Sequence, residues 1–146
     1  MNALFLTFAI AFSLVALPVA NAHDPPQDIP TFAYINVAPN PVGVGQQVTV
    51  VFWLNTLFDG TAIANDYRFH NYELKITAPD DTTETRTFDY IADSTSSQYI
   101  LYAPTQAGTY TFDFTFPGQD INTYSHDPTS AYVNDTYLPS SASTTL

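Results

Sequence analysis

The chain has 146 residues, with 14 acidic and 3 basic side chains, 11 prolines, no cysteine and a formal charge of −11 at pH 7. Without cysteine there is no disulfide scaffold, zinc ribbon or thiol nucleophile, and without a Lys/Arg patch nothing displaces counterions from nucleic acid or holds anionic lipid headgroups. Aromatic residues reach 15% against 12% charged, which excludes a disordered acidic tail and leaves one globular, tyrosine-rich domain.

Residues 1–22 hold no charged side chain, and an apolar run over 3–17 ends at Pro18. The small residues Ala20 and Ala22 suit the −3 and −1 positions of a signal peptidase, so cleavage is expected before His23. A run of about 15 residues is short of the ~20 that a spanning helix needs, and no basic stop-transfer cluster follows. The expected organisation is a signal peptide at 1–22, a Pro-rich lead at 23–31 and one domain at 32–146. The mature chain, 146 less 22 or 124 residues, would be secreted or held at the cell surface. That length buries well over half of its unfolded surface, so a core alone can sustain it.

Beyond the lead, β-branched and aromatic residues over 32–37 predict a strand, broken by Pro39-Asn40-Pro41 and by Gly43 and Gly45. Residues 46–55 follow, with Val48, Val50, Phe52 and Leu54 on one face and Thr49, Val51 and Trp53 on the other. Both faces are apolar, which predicts a central strand. A loop over 56–69 leads to an alternating strand over 70–78, with Tyr72, Leu74 and Ile76 inward. Pro79-Asp80-Asp81-Thr82 is turn chemistry. Short strands are predicted over 85–91 and 98–103. The clearest alternation lies in 109–116, where Tyr110, Phe112, Phe114 and Phe116 oppose Thr111, Asp113 and Thr115. No helical periodicity occurs after residue 22.

Regularly spaced short strands with turn signals predict an antiparallel sandwich. Gln106-Ala107-Gly108-Thr109-Tyr110-Thr111-Phe112 narrows it to an immunoglobulin-like fold of about seven strands. Tyr110 stands where a tyrosine corner would, and Phe112 where antibody domains carry their second cysteine. A long loop over 117–139 leaves 140–146 for the seventh strand, which the sequence reads as opened but not closed, with the natural protein continuing beyond Leu146.

Five segments stand in order: His23-Asp24-Pro25-Pro26, Ile29-Pro30-Thr31-Phe32-Ala33-Tyr34, Pro39-Asn40-Pro41-Val42-Gly43-Val44-Gly45-Gln46, Arg68-Phe69-His70-Asn71-Tyr72 and Asn134-Asp135-Thr136-Tyr137-Leu138-Pro139. Together they resemble the leader domain of archaeal secreted PQQ-binding-like β-propeller repeat proteins. The resemblance implies an immunoglobulin-like module placed ahead of a propeller. No propeller blades are present here, so it implies no quinone surface and little about catalysis.

No G-x-S-x-G elbow or phosphate-cradling glycine loop occurs. The loop carboxylates Asp59, Asp66, Asp120, Asp127 and Asp135 read as solvated acids of an acidic surface. Histidine offers a sharper reading. Cleavage before His23 would place an α-amino group and an imidazole on one residue, a chelating pair. Strand A's start, the B–C loop and the F–G loop share one end of an immunoglobulin-like sandwich, so His23, His70 and His126 all map there. Such nitrogen donors suit Cu(II) over Mg²⁺ or Ca²⁺, and His23 resembles the histidine brace of lytic polysaccharide monooxygenases and of small periplasmic copper carriers. Loop aspartates with Asn122 offer a Ca²⁺ alternative. Asn134-Asp135-Thr136 is a glycosylation sequon. Tyr124, Tyr132 and Tyr137 either form a binding surface or fold back over the end of the sandwich. The sequence therefore predicts a non-enzymatic adhesion, spacer or docking module of a larger extracellular protein, using no cofactor. The alternative is a copper-binding domain centred on His23.

Overall fold

The computed structural model describes residues 23–146; the expected signal peptide lies outside the described residues. In chain order the strands are β1 (Asp28–Ile29), β2 (Ala33–Ala38), β3 (Val48–Leu54), β4 (Tyr72–Thr77), β5 (Thr83–Phe88), β6 (Ser97–Tyr102), β7 (Thr111–Phe116), β8 (Gln119–Asp120), β9 (Thr136–Tyr137) and β10 (Ser140–Thr145). A single turn of 3₁₀ helix, Ile121–Thr123, follows β8. No helix among the described residues is long and apolar enough to cross a membrane.

Seven strands build an immunoglobulin-like sandwich. One sheet has the order β2-β3-β6 and the other β10-β7-β4-β5, with every neighbouring pair antiparallel. β5 pairs with β4 instead of lying beside β6, so the fourth strand sits on the opposite sheet from its place in antibody constant domains. The period-2 pattern decides which side chains meet between the sheets. Val48, Val50, Phe52 and Leu54 point in from β3, Tyr72, Leu74 and Ile76 from β4, and Phe112, Phe114 and Phe116 from β7. Phe52 is the hub: its ring lies 5.0 Å from Phe114, 5.4 Å from Phe88 and 6.4 Å from Tyr72. Fully burying a side chain of this size contributes roughly 1.5–3 kcal/mol, and tilted aromatic pairs add about 0.5–1.5 kcal/mol.

The tyrosine corner is formed. Tyr110, 1% exposed, accepts hydrogen bonds at its hydroxyl from the backbone N–H groups of Thr105 and Gln106, both at 3.1 Å. Phe112 behind it is fully buried. At Gly108 φ is +137°, and a Cβ there would stand 2.6 Å from the Pro79 ring, so the approach to the corner requires glycine.

The seventh strand pairs more fully than its polar sequence suggests. β10 matches β7 from Ser140↔Phe116 to Thr145↔Thr111, and Leu146 continues the ladder by exchanging both backbone hydrogen bonds with Tyr110 at 3.0 Å. Its free side faces β2. Thr31 Oγ1 donates to the Leu138 carbonyl at 2.8 Å, and Asn40 Nδ2 donates to the Thr145 carbonyl at 2.8 Å. These contacts close one side of the sandwich.

Two expectations need correction. The strand predicted over 85–91 begins two residues earlier and ends at Phe88. It is an edge strand whose Thr, Glu and Arg side chains are mostly solvated, so it carries no apolar alternation to mark its ends. The lead and the long loop are also more ordered than predicted. β1 pairs in parallel with β9, and β9 pairs antiparallel with β8, making a third sheet at one end of the sandwich.

Candidate functional site

That end is where the topology gathers the lead, the loop between β3 and β4 and the loop between β7 and β10. They are locked by specific polar contacts. Gln119 on β8, 7% exposed, accepts from the His70 backbone N–H at 2.9 Å and donates to the Arg68 carbonyl at 3.1 Å, joining the two loops through one amide. Tyr137 on β9 accepts from the Asp59 N–H at 3.0 Å and packs its ring 4.8 Å from Phe69. Burial is the main cause that pushes the Tyr137 hydroxyl up to about 12.

The lead is held by one carboxylate. Asp135, 1% exposed, accepts from His23 Nδ1 at 2.7 Å and from the Gln27 backbone N–H at 2.9 Å. The His23 N–H donates to the Ala131 carbonyl at 2.9 Å, and its imidazole meets Tyr132 edge-on at 5.0 Å. Asp135→Ala would leave the part-buried Gln27 N–H and the His23 imidazole without their acceptor, a loss of about 1–3 kcal/mol. The expected result is faster amide exchange at Gln27 and Asp28 and earlier protease cleavage of the lead, with the sandwich amides unchanged.

The remaining histidines are engaged elsewhere. His70 stacks on Tyr124, with centroids 3.6 Å apart and planes within 5°, and Tyr90 meets it edge-on at 5.4 Å. His126 Nδ1 donates to the Tyr124 carbonyl at 2.8 Å. The structure thus sets His70 and His126 against Tyr124, and His23 against Asp135 and Tyr132. Among the described residues no three His, Asp or Glu side chains are grouped as a metal ion would need. In particular, the backbone nitrogen and Nδ1 of His23, the two donors a copper brace would use, are both committed to hydrogen bonds.

The loop acids hold turns. Asp80, Asp93 and Asp127 each accept at Oδ1 from both the N–H and the hydroxyl of a threonine two residues on, at 2.6–3.1 Å. The threonine hydroxyl and then its N–H hold each of these carboxyls below the usual range. Asp66 accepts from the Ser125 hydroxyl at 2.7 Å, and Asp120 from the Thr136 hydroxyl at 2.6 Å. Asn122 is exposed in the 3₁₀ turn and joins no carboxylate cluster among the described residues. Asn134 is exposed in a turn, accessible to a glycan, while its sequon threonine makes that bond to Asp120. Of the three loop tyrosines, Tyr137 is buried and Tyr124 lies flat on His70 with its hydroxyl accepting from Asn71 Nδ2 at 2.9 Å. They fold back as a cover, and Tyr132 stays 44% exposed.

Burial holds the His70 imidazole below its usual value of about 6.5, against a smaller upward pull from Asp89. As pH falls through 6.5 the unfolded chain takes up this proton first, so unfolding gains, and the loss levels off below the folded-state value. Melting temperature is expected to fall between pH 7 and pH 5, and less so in His70→Gln. Paired melts of the two proteins at both pH values measure the difference.

Sequence reasoning missed two features. Arg68, one of only three cations, is 5% exposed inside the loop at 56–69. The outer face of the β2-β3-β6 sheet carries the exposed Tyr34, Tyr99 and Leu101 and the partly buried Trp53, with no other strand of the described residues packed over it. The signal for that face was the apolar second side of β3, which in the sequence serves only to place β3 at the centre of a sheet, where it stands. Searched against protein-family models, curated proteins and solved structures, the chain has no match.

Proposed function

We propose that this chain is a non-enzymatic extracellular module that stands in line within a larger cell-surface protein, serving as spacer and docking unit. The observation that carries the reading is the path of the chain. It enters at the end latched by His23 and Asp135 and runs out along β10 to Leu146 beside Tyr110, at the opposite end. Both ends are tied to the sandwich, so a domain joined after Leu146 would be held away from whatever the His23 end meets by the length of a strand, roughly 20 Å or more. The apolar leader supports export. The resemblance to the leader domain of archaeal secreted PQQ-binding-like β-propeller repeat proteins supports a place beside a larger partner domain. The charge of −11 favours solubility and modest, salt-screened attraction to cationic partners.

Small-angle scattering of a fusion carrying one folded domain before His23 and another after Leu146 tests the reading. Three units in an extended line are the expected shape. A folded-back shape with both added domains at one end would overturn it. Tight, nitrogen-coordinated copper in paramagnetic resonance would require His23 to leave Asp135, and would replace this reading with metal binding.

A further inference from the structure

The two outer faces of the sandwich differ in kind. The outer face of the four-stranded sheet is charged, with Glu73, Lys75 and Asp113 side by side. The strands of the other sheet, AYINVA, VTVVFWL and SQYILY, contain no charged residue at all. On a chain of net charge −11 this neutral face stands apart. It carries two of the exposed aromatic side chains of the described residues, Tyr34 at 47% and Tyr99 at 63%, and the partly buried Trp53 lies between their strands on β3.

The aromatics are braced. Tyr34 and Trp53 are direct cross-strand partners, with planes within 13° and centroids 5.5 Å apart. Parallel rings at that distance are offset-stacked, so each limits the other's rotation and little freedom remains to be lost on binding. Tyr99 pairs with Val51 and lies diagonal to Trp53, whose own partner is Ser97. That diagonal separates the two backbones by about 7–8 Å, over the small side chains of Val51 and Ser97. Asn36, Thr49 and Ser97 add uncharged hydrogen-bonding groups among the rings.

Charge and area decide the occupant. Three strands at ~4.8 Å spacing and about seven residues of ~3.4 Å give a footprint of about 350 Å², under half of the ~800 Å² per partner that a stable protein interface buries. A second copy would also bring another −11, and anionic headgroups are repelled by the same field. A neutral chain needs neither a large footprint nor opposite charge. Its sugar rings present flat C–H faces to aromatic rings and hydroxyls to Asn, Thr and Ser. We infer that the β2-β3-β6 face is a binding surface for a neutral polysaccharide, with Trp53 and Tyr99 as the main contacts and Tyr34 as the brace that positions Trp53.

This deepens the docking part of the proposed function, and its failure would leave the in-line arrangement to the scattering test. Trp53 is the chain's single tryptophan, so fluorescence excited at the red edge, where the ten tyrosines absorb little, reports on this face. The purified protein is run in native gels containing soluble neutral glucan, mannan, xylan or galactan, and its fluorescence is titrated with the same polymers. At least one polymer is expected to retard the protein and shift its emission. Retardation should weaken at least tenfold in Trp53→Ala and several-fold in Tyr99→Ala, with unchanged circular dichroism. Lys75→Ala on the other sheet should bind as wild type. Absence of retardation by all four polymers overturns the assignment, as does undiminished binding by a folded Trp53→Ala. It is equally overturned if the face instead drives a dimer lost in Trp53→Ala, or binding to neutral phosphatidylcholine vesicles.

Discussion

Arg68→Met should lower the melting temperature by about 10–20 °C, a loss on the order of 3–5 kcal/mol in a domain of this size. Arg68 carries no carboxylate partner in hydrogen-bond contact. Its guanidinium is spent on neutral oxygens: Nε donates to the Ala92 carbonyl at 3.1 Å, one terminal nitrogen to the Thr61 hydroxyl and the Tyr67 carbonyl at 2.8 Å, and the other to the Ala62 carbonyl at 2.9 Å. Methionine retains most of the apolar stem but leaves those oxygens without donors, each costing about 1–3 kcal/mol where water cannot reach. Arg68→Lys should fall between wild type and methionine, because one ammonium cannot reach acceptors spread over a planar fork. Calorimetry of the three proteins ranks them. Equal melting of methionine and wild type would mean that the loop is held by its turns alone.

Phe52→Ala is expected to cost about 3–5 kcal/mol, with cavity formation added to lost transfer energy. Phe52 is fully buried and is the β3 side chain that touches rings from β4, β5 and β7. Its removal opens a void between the sheets that neither can fill without breaking strand pairing. Total stability for a single domain is about 5–15 kcal/mol, so a large share disappears. Phe52→Leu should cost much less. Denaturant melts of both variants check the ratio, and comparable losses would show that aromatic contact, beyond filled volume, holds the sheets together.

How far the fold could be read from the sequence follows from where its information lies. In β7, Phe112, Phe114 and Phe116 alternate with Thr and Asp, and their burial follows that alternation residue by residue. Tyr110 was readable because Gly108 and the strand after it announce the corner locally. β1, β8 and β9 are two residues each, too short for any period; β1 exists only because β9, more than a hundred positions away, meets it, and β8 only because the long loop returns β9 to its side. The candidate end of the domain was legible in its topology and illegible in its chemistry. The strand order brings His23, His70 and His126 to one end, but Asp135 and Tyr124 decide what each imidazole does. Arg68 could not be found because most of its acceptors, the carbonyls of Ala62, Tyr67 and Ala92, are backbone groups that every sequence possesses. The second apolar side of β3 marked it correctly as a central strand, but did not say what lies over Trp53. An apolar outer side chain looks the same in sequence whether a second layer covers it or water does.

The latch between lead and loop also sets an order of events during synthesis. His23 and Asp135 are 112 residues apart, and the parallel pairing of Asp28 with Thr136 spans nearly as much. A ribosome adding about 5–20 residues each second therefore exposes the start of the lead for roughly 5–20 seconds before its partner exists. Once β3 has been made, β2 and β3 can pair as a hairpin while residues 23–29 still have nothing to hold. The lead stays open to any processing enzyme until Asp135 and Thr136 have been added.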